Sequence, residues 1–483
     1  MLVWGAIYHY DGLPERAINQ LKKQTMKNKP VSMIVNAHHA IPRYQQIARQ
    51  IRQAIGDGEL AAGSRLPSSR TMALELGVAR ATVENAYGEL VSQGWLERRG
   101  QAGTFVSPSA SPTASGANIA SSQPQGAPMP FQMGLPALDA FPRALWARLT
   151  GRRLRLQTRY DLLMPEANGE STLRQAIADY LRFSRSIDCQ PEQIFITAGF
   201  QAAMRLVVGT LAKAGDGIWL EDPGYRYVRP VFADAGMALH PVPVDGEGMQ
   251  IDYGLEHYPE ARFALLTPAH QSPLGVALSL TRRHQLLEWA SARQSWIIED
   301  DYDSEFRYHG KPLPPVKSLD GPERVIYAGT FSKSLFPALR TAWLVVPQQQ
   351  VAAFARQSRH LPCTVPILIQ QTIADFLREG HFWRHLKKMR QCYGERRVWL
   401  EAALAEQGFD VVPQAGGIQL VMRVQGDDRA MVAKGRAAGL AVQALSDWRM
   451  TPAGEGGIVM SFTNVTSQEM ARRYALKLRQ AIT

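Results

Sequence analysis

Cysteine is scarce in this 483-residue sequence: only Cys189, Cys363 and Cys392 occur, far apart and without ligand spacing. That excludes a disulfide framework and a cysteine-rich zinc site, and it suits a reducing cytosol. No metal site is expected. No stretch approaches the roughly 18 uninterrupted apolar residues of a membrane span, so no membrane partner is expected. The opening MLVWGAIY lacks a basic leader, and His9 and Asp11 follow too soon for a secretory signal. A cytoplasmic location is therefore expected. Charge is not strongly one-sided either, with a formal net charge of +11. Such a surplus permits polyanion binding without requiring it.

What is present fits a multidomain globular chain, with 45% hydrophobic and 20% charged residues and a length beyond one ordinary core. The segment from Ser107 to Pro130 is rich in Ser, Pro, Ala and Gly and carries no charge. It cannot bury enough surface to offset its ordering entropy, and it reads as a flexible linker. The expected division is an unassigned extension over 1–38, a head over 39–107, a linker over 108–130 and a body over 131–483.

In the head, Tyr44, Ile47, Ala48, Ile51 and Ile55 recur at helical spacing, with Gly56 and Gly58 closing the segment. Ser68 is placed to cap a short helix ending at Leu76, and Gly77 to stop it in the left-handed conformation. Arg80 opens a third helix with an apolar face of Val83, Ala86, Tyr87, Leu90 and Val91. Trp95-Leu96 and Thr104-Phe105-Val106 read as a two-stranded wing. Helix, short helix, turn and helix is the arrangement that lays a recognition helix in the major groove of double-stranded operator DNA. Arg80 and Thr82 on its first turn are candidates for base or phosphate contact, and Arg70 for the backbone. A three-helix structural or protein-binding module is the plainer alternative. Residues 1–107 hold 13 Lys and Arg against 8 Asp and Glu, which favours DNA modestly.

The run LPSSRTMALELGVARATVENAYGELVSQGWLERRGQAGTFV resembles the winged helix of the GntR family of bacterial regulators. Three positions depart from that pattern. Ala79 stands where a capping serine is common, Glu84 where some relatives place a DNA-facing arginine, and Ala102 in the wing turn.

From about residue 131, near-continuous apolar runs alternate with amphipathic helices, among them 194–196, 218–220, 263–266, 296–298, 325–327 and 343–346. That predicts an α/β body with a mostly parallel sheet covered on both faces. Chemistry-bearing residues follow the runs. Gly199-Phe200-Gln201 starts a helix, where backbone N–H groups cradle phosphate. Tyr225, His270, Asp300 and Tyr302 follow later runs, then Thr330, Lys333 and Arg340. Singly each has a plain reading, such as a solvated lysine or a capping glycine. In this order they match the needs of pyridoxal 5′-phosphate: an amine, an acid for the ring nitrogen, a stacking face, and donors for the phosphate.

The stretch IIEDDYDSEFRY followed by IYAGTFSKSLFPALR, supported by FQMGLPALDAFPRALW, resembles fold type I aminotransferases. Head and body together resemble the MocR subgroup of GntR regulators, in which an aminotransferase-like domain serves as effector sensor. That resemblance implies a homodimer with Lys333 holding pyridoxal 5′-phosphate as an internal aldimine. It implies Asp300 on the ring nitrogen, Tyr302 on the ring hydroxyl, and Tyr225 over the ring. Thr330, Arg340, Gly199, Phe200 and Gln201 are implied at the phosphate. His270 falls near the ring edge, or is an ordinary core histidine.

Two departures bear on function. Val459 stands where aminotransferases place the arginine for the substrate α-carboxylate, which argues against ordinary amino-acid turnover; Arg449 is a candidate substitute from the preceding loop. Leu163 and Met164 stand where relatives place a tyrosine that reaches the neighbouring subunit, with Tyr160 nearby. Arg148, Arg152, Arg153, Arg155 and Arg159 form a cluster suited to DNA, to a dimer contact or to a solvated helix face. The expectation is a transcriptional regulator sensing a B6 vitamer, an amine or an amino acid, with at most an aminotransferase-like half-reaction. A working aminotransferase with an accessory DNA-binding domain is the alternative, and a body that only dimerises is the third.

Overall fold

The computed structural model describes residues 35, 41–108, 127–310, 313–361, 365–452 and 454–482. Most of the extension expected over 1–38 and of the linker expected over 108–130 lies outside the described residues. Contacts divide the chain into two compact units, with the boundary between Gln125 and Gly126.

In the first unit, helices α1 (Arg43–Gly56), α2 (Ser69–Leu76) and α3 (Arg80–Ser92) precede strands β1 (Leu96–Arg98) and β2 (Thr104–Val106). Four-residue spacing puts Ile47, Ile51 and Ile55 on one face of α1, where they bury against Val83, Tyr87 and Leu90 of α3. Each such burial stabilises the fold by roughly 1.5–3 kcal/mol. Ser68 caps α2, its hydroxyl accepting from the Thr71 N–H at 3.2 Å, and Gly77 ends it at φ 63°. Ala79 gives α3 no side-chain cap. The wing pairs antiparallel, Leu96 opposite Val106 and Arg98 opposite Thr104.

The second unit is built on an eight-stranded sheet in the order β3-β10-β9-β8-β7-β4-β5-β6. Its strands are β3 (Ile194–Thr197), β4 (Gly217–Asp222), β5 (Ala238–Asp245), β6 (Gly248–Met249), β7 (Phe263–Leu266), β8 (Trp296–Asp301), β9 (Val325–Thr330) and β10 (Ala342–Val345). The expected mostly parallel sheet is mixed: β10 runs antiparallel to both β3 and β9, and β6 antiparallel to β5. The connection over 331–341, which holds a short turn at Pro337–Leu339 but no crossover helix, returns the chain from β9 to β10 in that direction. Alternate residues of one strand enter different cores: Ile298 packs with Leu265 and Ile326 on one face, Ile297 with Ala264 and Val325 on the other. Both faces are therefore covered, as the unbroken apolar runs require.

A second, four-stranded antiparallel sheet has the order β11-β12-β14-β13. Its members are β11 (Asp410–Val411), β12 (Gln419–Arg423), β13 (Gln443–Ala444) and β14 (Gly457–Ser461). Three helices matter below: α4 (Arg143–Leu156), α5 (Phe200–Leu211) and α6 (Ile367–Arg378). The arginine cluster belongs to α4 and the turn after it, and two of its members are engaged in ion pairs within the body, Arg152 while still 40% exposed. Arg152 and Arg153 both pair with Asp375 of α6, and Arg152 also reaches Glu379.

Candidate functional site

The carboxyl ends of β3, β4, β8 and β9 surround a cavity of about 380 Å³, closed on another side by Met133, Gly134, Gln419, Gln443 and Trp448. Phe200, Gln201, Tyr225, Asp300, Tyr302, Thr330, Lys333 and Arg340 all line it. Gly199, just before Phe200, sits at φ 93° as the cap of α5, and a Cβ there would lie 3.2 Å from the Arg340 guanidinium. The helix N-terminus, the guanidinium and the end of β9 thus form a cradle of donors. Arg340 adopts φ 47°, a conformation L residues rarely take, at the end of the Pro337–Leu339 turn. The Thr330 hydroxyl is fixed there, accepting from the Ser332 N–H at 3.1 Å. The Gln201 side chain is committed elsewhere, donating to the Tyr227 carbonyl at 2.9 Å.

Strand alternation explains which of three adjacent acids serves the cavity. Glu299 accepts from the Val316 and Lys317 N–H groups, and Asp301 from Arg185 and the Tyr327 hydroxyl. Asp300 between them points the other way, buried, and its Oδ1 has no hydrogen-bond partner among the described residues. Burial, reinforced by Asp301, Glu221 and Asp303 and opposed by Lys333, holds its carboxyl well above the usual range. The Lys333 amine donates to the Gly134 carbonyl at 2.9 Å. Burial lowers its pKa, while Asp303 and Asp300 act to raise it. A buried amine of lowered basicity is a nucleophile held ready. The Tyr225 ring meets Phe200 edge to face at 6.0 Å, on a turn anchored where the Gly224 N–H donates to Trp448 O at 3.0 Å.

His270 contacts Tyr302, its Nδ1 lying 3.1 Å from the hydroxyl. Gly134, Ser272, Ser332, Gln419, Gln443 and Trp448 also line the cavity but are not among the sequence-derived candidates. Gly134 and Ser332 lie inside the two aminotransferase-like stretches; nothing local marked the other four. Val459 is fully buried on β14 among Val421, Leu445 and Trp448. Arg449 does not take over: its guanidinium donates to Glu455 O at 3.0 Å and does not line the cavity. Tyr160, Leu163 and Met164 are exposed, Met164 by 90%.

In the first unit, Arg70, Arg80 and Thr82 sit on the two helices of the candidate DNA interface, with both arginines exposed. Arg80 is not free. It pairs with Glu84 one turn on, at 2.8 Å, and reaches the Ser69 hydroxyl at 3.4 Å.

The fold and cavity are those of an aminotransferase, attached to a winged helix-turn-helix. Aminotransferase class I and II matches residues 134–472, and bacterial regulatory proteins, gntR family, matches residues 43–106. The chain belongs to the MocR subgroup of the GntR regulators. It is 37% identical to the probable rhizopine catabolism regulatory protein MocR of Rhizobium meliloti, over 81% of this chain and 83% of that one. It is 31% identical to the pyridoxine biosynthesis transcriptional regulator PdxR of Corynebacterium glutamicum, over 89% of this chain and 93% of that one. Among solved structures, an archaeal alanine:glyoxylate aminotransferase matches with a TM-score of 0.68 and 26% identity, over 73% of this chain and 90% of that one. The α-aminoadipate aminotransferase LysN of Thermus thermophilus, complexed with N-(5′-phosphopyridoxyl)-L-leucine, matches with a TM-score of 0.67 and 26% identity, over 73% and 92%. The chain is therefore a transcriptional regulator with an aminotransferase-like domain. No helix among the described residues is long and apolar enough to cross a membrane.

Proposed function

We propose that this regulator binds double-stranded operator DNA and takes pyridoxal 5′-phosphate at Lys333, its DNA affinity responding to the cofactor or to an amine or amino acid that reacts with it. The observation that carries the reading is the single cavity joining Lys333, Asp300 and Tyr302 to the Gly199–Arg340 cradle. These residues fit the group. Asp300 holds a buried oxygen without a partner among the described residues, as a protonated ring nitrogen requires. A dianionic phosphate fits a helix N-terminus beside a guanidinium. When bound, the cofactor supplies an aldehyde for the lysine amine and a ring that withdraws electrons.

The chain's own residues do the rest. Asp300 fixes the ring nitrogen's proton, Tyr302 binds the ring oxygen, and Tyr225 covers the ring. Thr330, Arg340 and the backbone of Gly199, Phe200 and Gln201 hold the phosphate. Lys333 would be the group whose charge and contacts differ between the cofactor-loaded and the amine-occupied cavity; such a difference is what a coupled regulator needs. The buried Val459 leaves a substrate carboxylate without its usual partner, so sensing is favoured over turnover.

A homodimer in the cytoplasm completes the reading. Leu154, Leu156, Leu162, Leu163 and Met164 expose large apolar side chains in and just after α4, a ridge that a second copy would cover. Two copies would present two heads to two half-sites. The test is selection of genomic DNA by the purified full chain, with and without pyridoxal 5′-phosphate and a panel of amines. Cofactor-dependent enrichment that Lys333→Ala removes is expected. Enrichment blind to both cofactor and Lys333→Ala would overturn the sensing role. Rapid repeated transamination of a common amino acid would favour the enzyme reading.

A further inference from the structure

Beside the cofactor cavity lies a second cavity of about 260 Å³, and the wall residues include Arg185, His270, Asp301, Asp303, Arg307 and Gly417. Tyr302 lines the first cavity and His270 the second. The imidazole is therefore a link between them. Its Nδ1 lies 3.1 Å from Tyr302 Oη and 3.3 Å from Asp303 Oδ2. The Asp303 contact falls outside hydrogen-bond geometry, since neither of its oxygens has a hydrogen-bond partner among the described residues. The carboxylate thus acts on the ring nitrogen by charge rather than by a direct bond.

Both side chains are held. His270 is 5% exposed and Asp303 1%. Gly417 packs against the imidazole so closely that a Cβ there would overlap the ring, and its φ of 84° suits glycine alone. Arg185 is occupied by Asp301 at 3.0 Å, and Glu299 by backbone N–H groups. Arg307 lines the cavity, and Lys333 also feels the Asp303 charge.

The Nδ1–Oη contact allows two arrangements. Either the tyrosine donates to a bare Nδ1, or a protonated Nδ1 donates to the tyrosine oxygen. A bare nitrogen would set its lone pair 3.3 Å from a carboxylate oxygen, which is repulsive, whereas an N–H there is attracted. We infer that Asp303 holds the proton on His270 Nδ1, so that His270 donates to Tyr302 and the tyrosine hydroxyl hydrogen is directed into the cofactor cavity. His270 and Asp303 are then positioning residues. They make Tyr302 a donor toward an anionic oxygen in the cavity, which on the proposed function is the cofactor's ring oxygen.

Two measurements test this, and only the second depends on the cofactor. In the full chain labelled with 15N-histidine and given no cofactor, His270 is assigned by the resonance missing from His270→Phe. Its Nδ1 is expected to carry the proton, and in Asp303→Asn the proton is expected to move to Nε2. A native Nε2–H tautomer, or an Nδ1–H tautomer unchanged in Asp303→Asn, would overturn the inference. The second is a double-mutant cycle on pyridoxal 5′-phosphate affinity. His270→Phe alone is expected to weaken binding about 10-fold, a bond to a charged group being lost, and to add little in a Tyr302→Phe background. Equal effects in both backgrounds would show that His270 does not act through Tyr302. Should native protein not bind the cofactor, the proposed function falls while the tautomer result still decides this inference.

Discussion

Lys333 donates its amine hydrogen to the carbonyl of Gly134 at 2.9 Å, so the segment that opens the body holds the side chain at the centre of the cavity. A Cβ on Gly134 would lie 3.1 Å from that amine, at a backbone φ of 81°. Gly134→Ala is expected to cost about 1–3 kcal/mol of stability from the strained backbone and to displace the amine. Thermal melting and cofactor titration check both effects; an unchanged titration would mean that Gly134 does not set the position of Lys333.

The amine also sets a pH dependence. Burial lowers the Lys333 pKa below the ordinary lysine value, although Asp303 and Asp300 oppose the shift. Only the neutral amine attacks an aldehyde, so the rate of adduct formation should rise with pH through a midpoint below that of free lysine. Asp303→Asn removes the larger opposing charge and should move the midpoint lower still. Stopped-flow absorbance across pH reads both; a midpoint at or above that of free lysine contradicts the environment described.

The head offers a gain rather than a loss. Ala79 leaves α3 without a side-chain cap, whereas Ser68 supplies one to α2. Ala79→Ser should stabilise the head by about 0.5–1 kcal/mol and Ser68→Ala should destabilise it by about 1 kcal/mol. Denaturant titration distinguishes the two signs. Glu84→Gln removes the charge paired with Arg80, and DNA affinity should rise with a steeper salt dependence. Unchanged affinity would place Arg80 away from DNA.

Association should depend on the exposed ridge after α4. Leu162 is 77% and Met164 90% exposed. The pair Leu162→Glu and Met164→Glu should shift sedimentation toward monomer. A variant sedimenting like the native protein would move the interface elsewhere.

Much of this molecule was legible because short apolar runs bounded by turn residues suit buried strands: all six runs named from sequence are strands of the large sheet. Strand β5 escaped because Pro241 and Pro243 and its intermittent burial mimic a loop, which one strand from the sheet edge can tolerate. The antiparallel direction of β10 was hidden because an apolar run carries no sign of direction. In the site, residue type and order sufficed for Lys333, Asp300 and Tyr302. They did not suffice for Gln443 on β13 and Trp448 in the short turn just after it, nor for the Arg153–Asp375 pair, whose members lie 222 positions apart. Such contacts depend on tertiary proximity, which local pattern does not encode.

The central claim is that one lysine carries the cofactor. Purified full-length protein incubated with pyridoxal 5′-phosphate, reduced with borohydride and digested should yield the pyridoxyl group on the peptide containing Lys333 and on no other. A stoichiometric label on a different lysine, or none, would contradict it.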